Sequence, residues 1–477
     1  MHRLLLTVPF VLFSQGVFSQ SVFSQRALSR QEDSLISARE EDSLFIGRLS
    51  DEVLVNSKAY ENLRVLTRTI GGRLSGSPQM YRAEEWGRQA LLDAGADRAY
   101  LQECAVPHWI RGGQDEASWR AAGSPEEITM DILSLGNSKG TGQEGISAPV
   151  VLISSFEELQ EKRAAIKGKI VFYNYQFDPH FIETFRSYSD AVRYRVLGAS
   201  KAARYGAVAV LVRSISQSVD NNPHAGALVY DDSFPRIPAA AIGLRDADRL
   251  ALAIRQNPTV NVYLRTRAKM LPDTLAHNVI GEITGADFPG QIITVGAHLD
   301  SWDPGEGAQD DGAGCVHAIE VLRALRAVGY RPRHTIRIVL FANEENGLRG
   351  ASRYAQEAFA KREQHIFALE SDAGGFTPRG FSFSLSPQKL KAITPWLELL
   401  RPYGPGEFAR GGGGADVGPL NELLGTTIAE LVPDSQRYFD YHHARNDVFA
   451  NVNKRELELG ALSMAALIYL VDKYGAP

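Results

Sequence analysis

Histidine and carboxylate side chains gather at four places in the second half of the chain. The stretch HLDSWDPGEGAQDDGAG carries His298, Asp300, Asp310 and Asp311. EENG supplies Glu344 and Glu345, ESDAG supplies Glu370 and Asp372, and YFDYHHARND supplies His442, His443 and Asp447. Imidazole with carboxylate and no thiolate is a donor set for zinc, with manganese or cobalt as substitutes. The only two cysteines, Cys104 and Cys315, are too few for a structural thiolate zinc site. A catalytic zinc takes three protein ligands and leaves a position for water. Two histidines, one bridging carboxylate and two terminal carboxylates would hold two ions roughly 3.5–4 Å apart. One carboxylate then remains as a base, and the adjacent pair Glu344 and Glu345 can provide it.

Taken singly, each cluster has a plainer reading. A histidine behind a strand is more often a satisfied polar group than a ligand. Asp310 and Asp311 suit the cap of the helix that follows them, and Glu344 and Glu345 suit a solvated strand end. Together on one rim, so many acidic groups repel one another strongly unless cations neutralise them. The set as a whole favours metal.

The elements around the clusters put them on one rim. QIITVGAHLD, TIRIVLFANEE and HIFALESD read as strands, and each ends in a cluster. GAGCVHAIEVLRALRAVG and LRGASRYAQEAFAKR read as the intervening helices, the first with Cys315, Ile319, Leu322 and Leu325 on one face. Apolar strands alternating with helices predict an α/β fold, a three-layer α/β/α sandwich with a mainly parallel central sheet. Ligands of such sheets collect beyond the carboxyl ends of the strands. Cys315 on the apolar helix face reads as a buried free thiol.

The first half differs in texture. Charged helical sequence runs to about residue 60, AEEWGRQALLDAGA reads as an amphipathic helix, and ADRAYLQECAVPHW as a strand leading out of it. Over 121–271, short β-branched strands such as APVVLIS, KGKIVFYN and IPAAAI alternate with small helices, and none ends in potential ligands. This stretch is expected to be an inserted, mostly-β domain between 26–120 and 272–477. His224, His317, His334 and His365 lie off the clusters and read as structural or surface residues.

Composition narrows the classes of partner. The 477 residues are 44% hydrophobic and 22% charged, with a net charge of -5. That balance argues against nucleic acid, which calls for clustered Lys and Arg. No stretch reaches the roughly 20 apolar residues of a membrane span. At the N-terminus Arg3 precedes LLLTVPFVLF and then small and polar residues, the pattern of a signal peptide over 1–25. A secreted or periplasmic protein is expected.

In order along the chain, IGGRLSGSP, KGKIVFYN, NVIGEITG, HLDSWDPGEGAQDDGAG, EENG, ESDAG and HHARND resemble the co-catalytic dizinc exopeptidases of the aminopeptidase and glutamate carboxypeptidase superfamily. The resemblance implies a zinc-exopeptidase fold with two zinc ions per chain and an insertion of the protease-associated type. It also implies a homodimer and dipeptidase-like activity on short peptides with a free terminus. Carried over by position, His298 and Asp372 bind one metal, Glu345 and His443 the other, and Asp310 bridges both. Glu344 is the general base of a hydrolysis by hydroxide held between the metals. His443 is preferred to His442 as ligand because relatives place an acidic residue four positions further on, where Asp447 stands. His442 then stabilises the oxyanion. Asp300 and Asp447 are expected to orient the imidazoles of His298 and His443.

GGGGADVGP, with Asp416, reads equally as a flexible loop and as a loop whose carboxylate meets a substrate's free α-amino group. No basic pair stands out as a clamp for an acidic substrate side chain. Two other functions fit the same fold: a single-zinc glutaminyl cyclase, and a receptor-like binding protein that has lost catalysis. The presence of all five candidate ligands and the base speaks against the second.

Overall fold

The computed structural model describes residues 38–257 and 259–477. The expected signal peptide lies outside the described residues. No helix among them is long and apolar enough to cross a membrane.

Eight strands form the sheet that carries the clusters. Their order is Arg98–Ile110, Lys269–Ile283, His334–Phe341, Phe288–His298, Gln364–Glu370, Thr427–Pro433, Pro378–Phe383 and Glu407–Arg410. The central four are parallel, in registers that include His298↔Phe341, Gly296↔Glu370 and Glu370↔Glu430. Flanking them the pairing is antiparallel on both sides, and the outermost strand Glu407–Arg410 pairs parallel with Pro378–Phe383. His334–Phe341 is buried at every position, which is why it reads as a continuous apolar run rather than an alternating one.

Helices cover both faces. Val339 and Phe341 join Ala351, Tyr354 and Ala355 of helix Arg349–Lys361 in one cluster. Leu340, between them, points to the opposite face and there meets Gly87 of helix Pro78–Asp93, where an added Cβ would come within 3.0 Å of it. Helix Ala313–Ala327 is backed by the C-terminal helix Lys454–Tyr474. Gly460 allows that approach, since a Cβ there would lie 2.6 Å from the His317 ring.

Strands Arg98–Ile110 and Lys269–Ile283 form a long antiparallel ribbon that ends at Ile110↔Lys269. Beyond it a second eight-stranded sheet uses strands from Glu116–Ala121 to Val260–Arg265. It is more helical than a mostly-β stretch. Tyr194, Ala199 and Ala202 of helix Thr184–Ala203 pack on one face with Val171 and Val210. Ala247, Leu250 and Ala251 of helix Leu244–Gln256 pack on the other with Phe172 and Leu211. The 20-residue helix Thr184–Ala203 exceeds the short SKAARYG segment legible in sequence. Its buried side includes Ser187, Arg195 and Ser200 as well as apolar residues, which blurs the periodicity.

Cys104 and Cys315 are free and buried. The Cys315 thiol donates to the carbonyl of His298 at 3.0 Å.

Candidate metal centre

His298 ends its strand level with Phe341, and the strand on its other side ends at Glu370, opposite Gly296. Just past Phe341 the chain turns at Asn343, whose φ of 66° is left-handed, a conformation Asn tolerates better than most residues. The turn lets both Glu344 and Glu345 reach the rim. Behind His298 the chain loops out and returns through the one-turn segment Ala308–Gly312, bringing Asp310 back against the strand end. Asp372 lies two residues beyond Glu370, the last residue of its strand. His442 and His443 follow the turn Tyr438–Tyr441, with His443 itself at a φ of 62°.

The side chains meet. Asp310 turns Oδ1 to Nε2 of His298 at 3.1 Å and Oδ2 to Nε2 of His443 at 3.2 Å. Nε2 of His298 also lies 3.2 Å from Oδ1 of Asp372, and Nε2 of His443 lies 3.1 Å from Oε2 of Glu345. His298, Asp310 and Glu345 form one group able to hold an ion, and Asp311 and Asp372 form another with His298.

The electrostatics ask for cations. Asp310 Oδ2 and Glu345 Oε1 are buried without a hydrogen-bond partner. Burial pushes Glu345 up to about 7, the Asp310 charge adds to this, and His443 opposes it. Burial disfavours the His443 charge, yet the Glu345 and Asp310 carboxylates pull it up to about 9. Burial also raises Asp372 and Glu344; His298 opposes it in both, and the neighbouring carboxylates add to the upward push. Carboxylates this dense, with orphaned oxygens turned inward, fit divalent ions better than they fit one another.

Glu344 takes no part in these ligand pairs and is partly exposed. Its backbone N–H donates to Oδ1 of Asp300 at 3.0 Å. His442 stacks on His443 with ring centroids 3.5 Å apart, and its Nε2 lies 3.9 Å from Asp310 Oδ2. Burial first, then the His443 charge, hold its pKa well below the ordinary value.

Two expectations about orientation need correction. Nδ1 of His298 bonds the backbone carbonyl of Asp300 at 2.9 Å, while the Asp300 carboxylate stands 3.9 Å away. That carboxylate is engaged instead by the Glu344 N–H and the Ser75 hydroxyl. Asp447 holds the backbone N–H groups of Gln309 and Asp310, at 2.7 and 3.2 Å, rather than the ring of His443. Asp311 accepts the N–H groups of His298 and Gly314, and so ties strand end to helix start. Asp416 is fully buried, and neither carboxylate oxygen has a hydrogen-bond partner. It sits behind Glu370, which accepts the N–H groups of Asp416 and Val417.

Three contributors were not legible as such. Arg73, fully buried, donates to the carbonyls of Leu299, Glu306 and Gly307 and pins the loop that returns Asp310. Its only sequence signal is an arginine inside the glycine-rich IGGRLSG. His224, from the second sheet's side, is buried with Nδ1 2.7 Å from the His442 carbonyl. Arg195 reaches Nδ1 of His443 from helix Thr184–Ala203 at 3.5 Å.

Residues 278–468 match the model of Peptidase family M28. Over 415 residues the chain is 35% identical to carboxypeptidase Q of Bos taurus, covering 87% of this chain and 85% of that protein. It superposes on the crystal structure of a peptidase M28 precursor from Shewanella amazonensis SB2B with a TM-score of 0.85. That match has 31% identity and covers 92% of this chain and 98% of the other. BSAP, a zinc aminopeptidase from Bacillus subtilis, shares the fold at a TM-score of 0.60 and 20% identity, with coverage of 87% and 95%. The chain belongs to peptidase family M28 and is a metallo-exopeptidase.

Proposed function

We propose that the chain is an exported two-zinc exopeptidase that hydrolyses dipeptides or short peptides with a free terminus. The observation that carries the reading is Asp310, which offers one oxygen to each of two imidazoles. In this reading His298 and Asp372 hold one ion, Glu345 and His443 the other, and Asp310 both. Zinc held there supplies a Lewis acid for the scissile carbonyl and makes water a nucleophile near neutral pH.

The remaining steps fall to side chains. Glu344, outside the ligand set, takes the proton of the attacking water and hands it to the leaving amine. His442, stacked on His443, donates from Nε2 to the oxyanion as it forms. Asp416, with both oxygens unpartnered, is the acceptor for the substrate's α-amino group. Asp300 steadies His298 through its carbonyl, and Asp447 steadies Asp310 through its N–H.

Around this centre we assign 1–25 to a signal peptide and 26–120 with 272–477 to the catalytic domain. The intervening 121–271 is an inserted domain of the protease-associated type. Secreted or periplasmic location and a homodimer complete the reading; the first rests on the N-terminal sequence pattern and the second on the resemblance.

The test is zinc content together with a panel of unblocked and N-blocked dipeptides, with and without chelator. Two zinc per chain and hydrolysis that chelation abolishes and zinc restores are expected. One zinc with cyclisation of N-terminal glutamine would make the protein a cyclase instead. Metal binding without turnover would make it a binding protein, and undiminished hydrolysis after metal is stripped would overturn the reading.

A further inference from the structure

Three parallel strands of the second sheet, Ile170–Tyr173, Ala209–Arg213 and Ala239–Ile242, end around one cavity of about 350 Å³. Ligands of open parallel sheets collect at that end of the strands, and the volume lies in the range of small-molecule pockets. Phe177 comes from beyond the first strand, Ser216 and Ser218 from beyond the second, and Leu244 from beyond the third. The cavity belongs to the inserted segment and shares no lining residue with the candidate metal centre.

The groups left open in its lining are donors. Arg213 keeps only 11% of its side chain exposed. Its Nη1 donates to Asp248 at 2.6 Å and to the Asn174 amide oxygen at 3.2 Å, while Nε and Nη2 have no acceptor among the described residues. Arg245 gives Nε and Nη2 to the Val219 carbonyl, which leaves Nη1. The hydroxyl oxygens of Ser216 and Ser218 accept backbone N–H groups at 2.9 and 3.2 Å, so each still has a proton to give. Helix Leu244–Gln256 opens at the wall with no side-chain cap, and N–H groups at such an end favour anions. The two carboxylates of the lining are already engaged: Asp248 by Arg213, and Asp220 by Asn222 and Asn446. This lining suits an oxyanion, and Phe177, Pro179 and Val219 offer apolar surface to a carbon body beside it.

The wall of the cavity also supports the histidine turn. Beyond Ser218 the chain gives Asp220, which accepts from Nδ2 of Asn446 at 3.3 Å. It then gives His224, whose Nδ1 donates to the His442 carbonyl at 2.7 Å, and Ala225, whose N–H donates to the His443 carbonyl at 2.9 Å. We propose that the cavity is a second binding site. It takes a small organic acid or phosphate monoester by its oxyanion on Arg213 and Arg245, and its filling braces the wall behind His442 and His443. The site stands without the metal reading above; the brace rests on it.

Calorimetry on the zinc-loaded full chain, with leucine hydroxamate filling the metal centre, compares phenyl phosphate, phenylacetate and the neutral 2-phenylethanol. One anion per chain should bind and the alcohol should not; whichever anion binds tighter names the source, phosphate ester or organic acid. Arg213→Met should weaken binding roughly 10- to 100-fold, as expected for a lost charged hydrogen-bond pair. Arg245→Met, at an exposed position, should weaken it less. No anion binding, equal binding of the alcohol, or binding unchanged in both variants would overturn the site. Without the hydroxamate, the tighter anion should slow zinc transfer to a chromogenic chelator about fivefold or more, the lower end of coupling between sites. An unchanged rate, or slowing that persists in Arg213→Met, would overturn the brace and leave the site. A chain that takes up no zinc would sink the metal reading and the brace with it, while anion binding still decides the site.

Discussion

Asp447 receives the backbone N–H of Asp310 at 3.2 Å from a position 137 residues further along the chain. The same carboxylate takes the N–H of Gln309 at 2.7 Å. Two donors on consecutive residues fix the peptide that carries the carboxylate between the imidazoles. Asp447→Asn leaves one N–H without an acceptor and should weaken zinc binding about 10- to 100-fold, the usual cost of losing support behind a ligand. Competition against a chromogenic chelator measures it, and unchanged affinity would remove Asp447 from that role.

Glu344 is separable from metal binding because no ligand pair includes it. Glu344→Gln should lower kcat by about 10²- to 10⁴-fold, the span of general acid–base catalysis, with two zinc per chain retained. Turnover beside metal analysis decides it; a variant at wild-type rate would free Glu344 of the base's role.

Gly136 packs against the site's edge. A Cβ there would fall 1.8 Å from Cη2 of Trp302, a buried ring that lies 5.9 Å from Trp109 and 5.8 Å from His443. The Gly136 backbone is itself held by Gly226 and Leu228, so neither partner can retreat freely. Gly136→Ala should destabilise by about 1–3 kcal/mol in denaturant unfolding. Gly290→Ala, where a Cβ meets nothing within 4 Å, should stay within about 0.5 kcal/mol.

Glu363 provides an acid-sensitive contact. The hydrogen bond from His365, then Arg337, holds its carboxyl down to about 2. His365 is itself kept low by burial, so near neutrality its ring donates uncharged and Arg337 supplies the charge. A depressed carboxyl stabilises the fold above its unfolded pKa, and the contribution fades as pH falls from about 4.5 toward 2. Allowing for solvent at this half-buried group, about 1–2 kcal/mol is expected. Glu363→Gln should therefore be less stable than wild type at pH 7, with the gap closing below pH 3. A gap that is constant with pH would mean packing, not charge, holds the contact.

Much of the centre was legible because metal chemistry demands particular residue types, and these stand at strand ends where the apolar pattern stops. His298, Asp310, Glu345, Asp372 and His443 are proposed as ligands on the resemblance added to their residue types, and the fold brings them within contact distance of one another. The supporting roles were not legible. Asp300 and Asp447 act through backbone groups, and a backbone N–H or carbonyl carries no mark of its partner in the residue letters. The length of helix Thr184–Ala203 was hidden for a related reason: polar residues on its buried side break the apolar repeat.

Residue order by itself determined the α/β class, the chemistry of the donor set and the strand ends that carry it, since these depend on side-chain type and short-range periodicity. Only the folded chain decided that Asp310 faces two imidazoles at once, that Arg73 pins the returning loop, and that Arg195 and His224 approach the histidine pair. The last two contacts cross 248 and 218 residues of sequence. Contacts at that separation are set by how two sheets meet through one antiparallel ribbon, a property of the packed whole that no local stretch encodes.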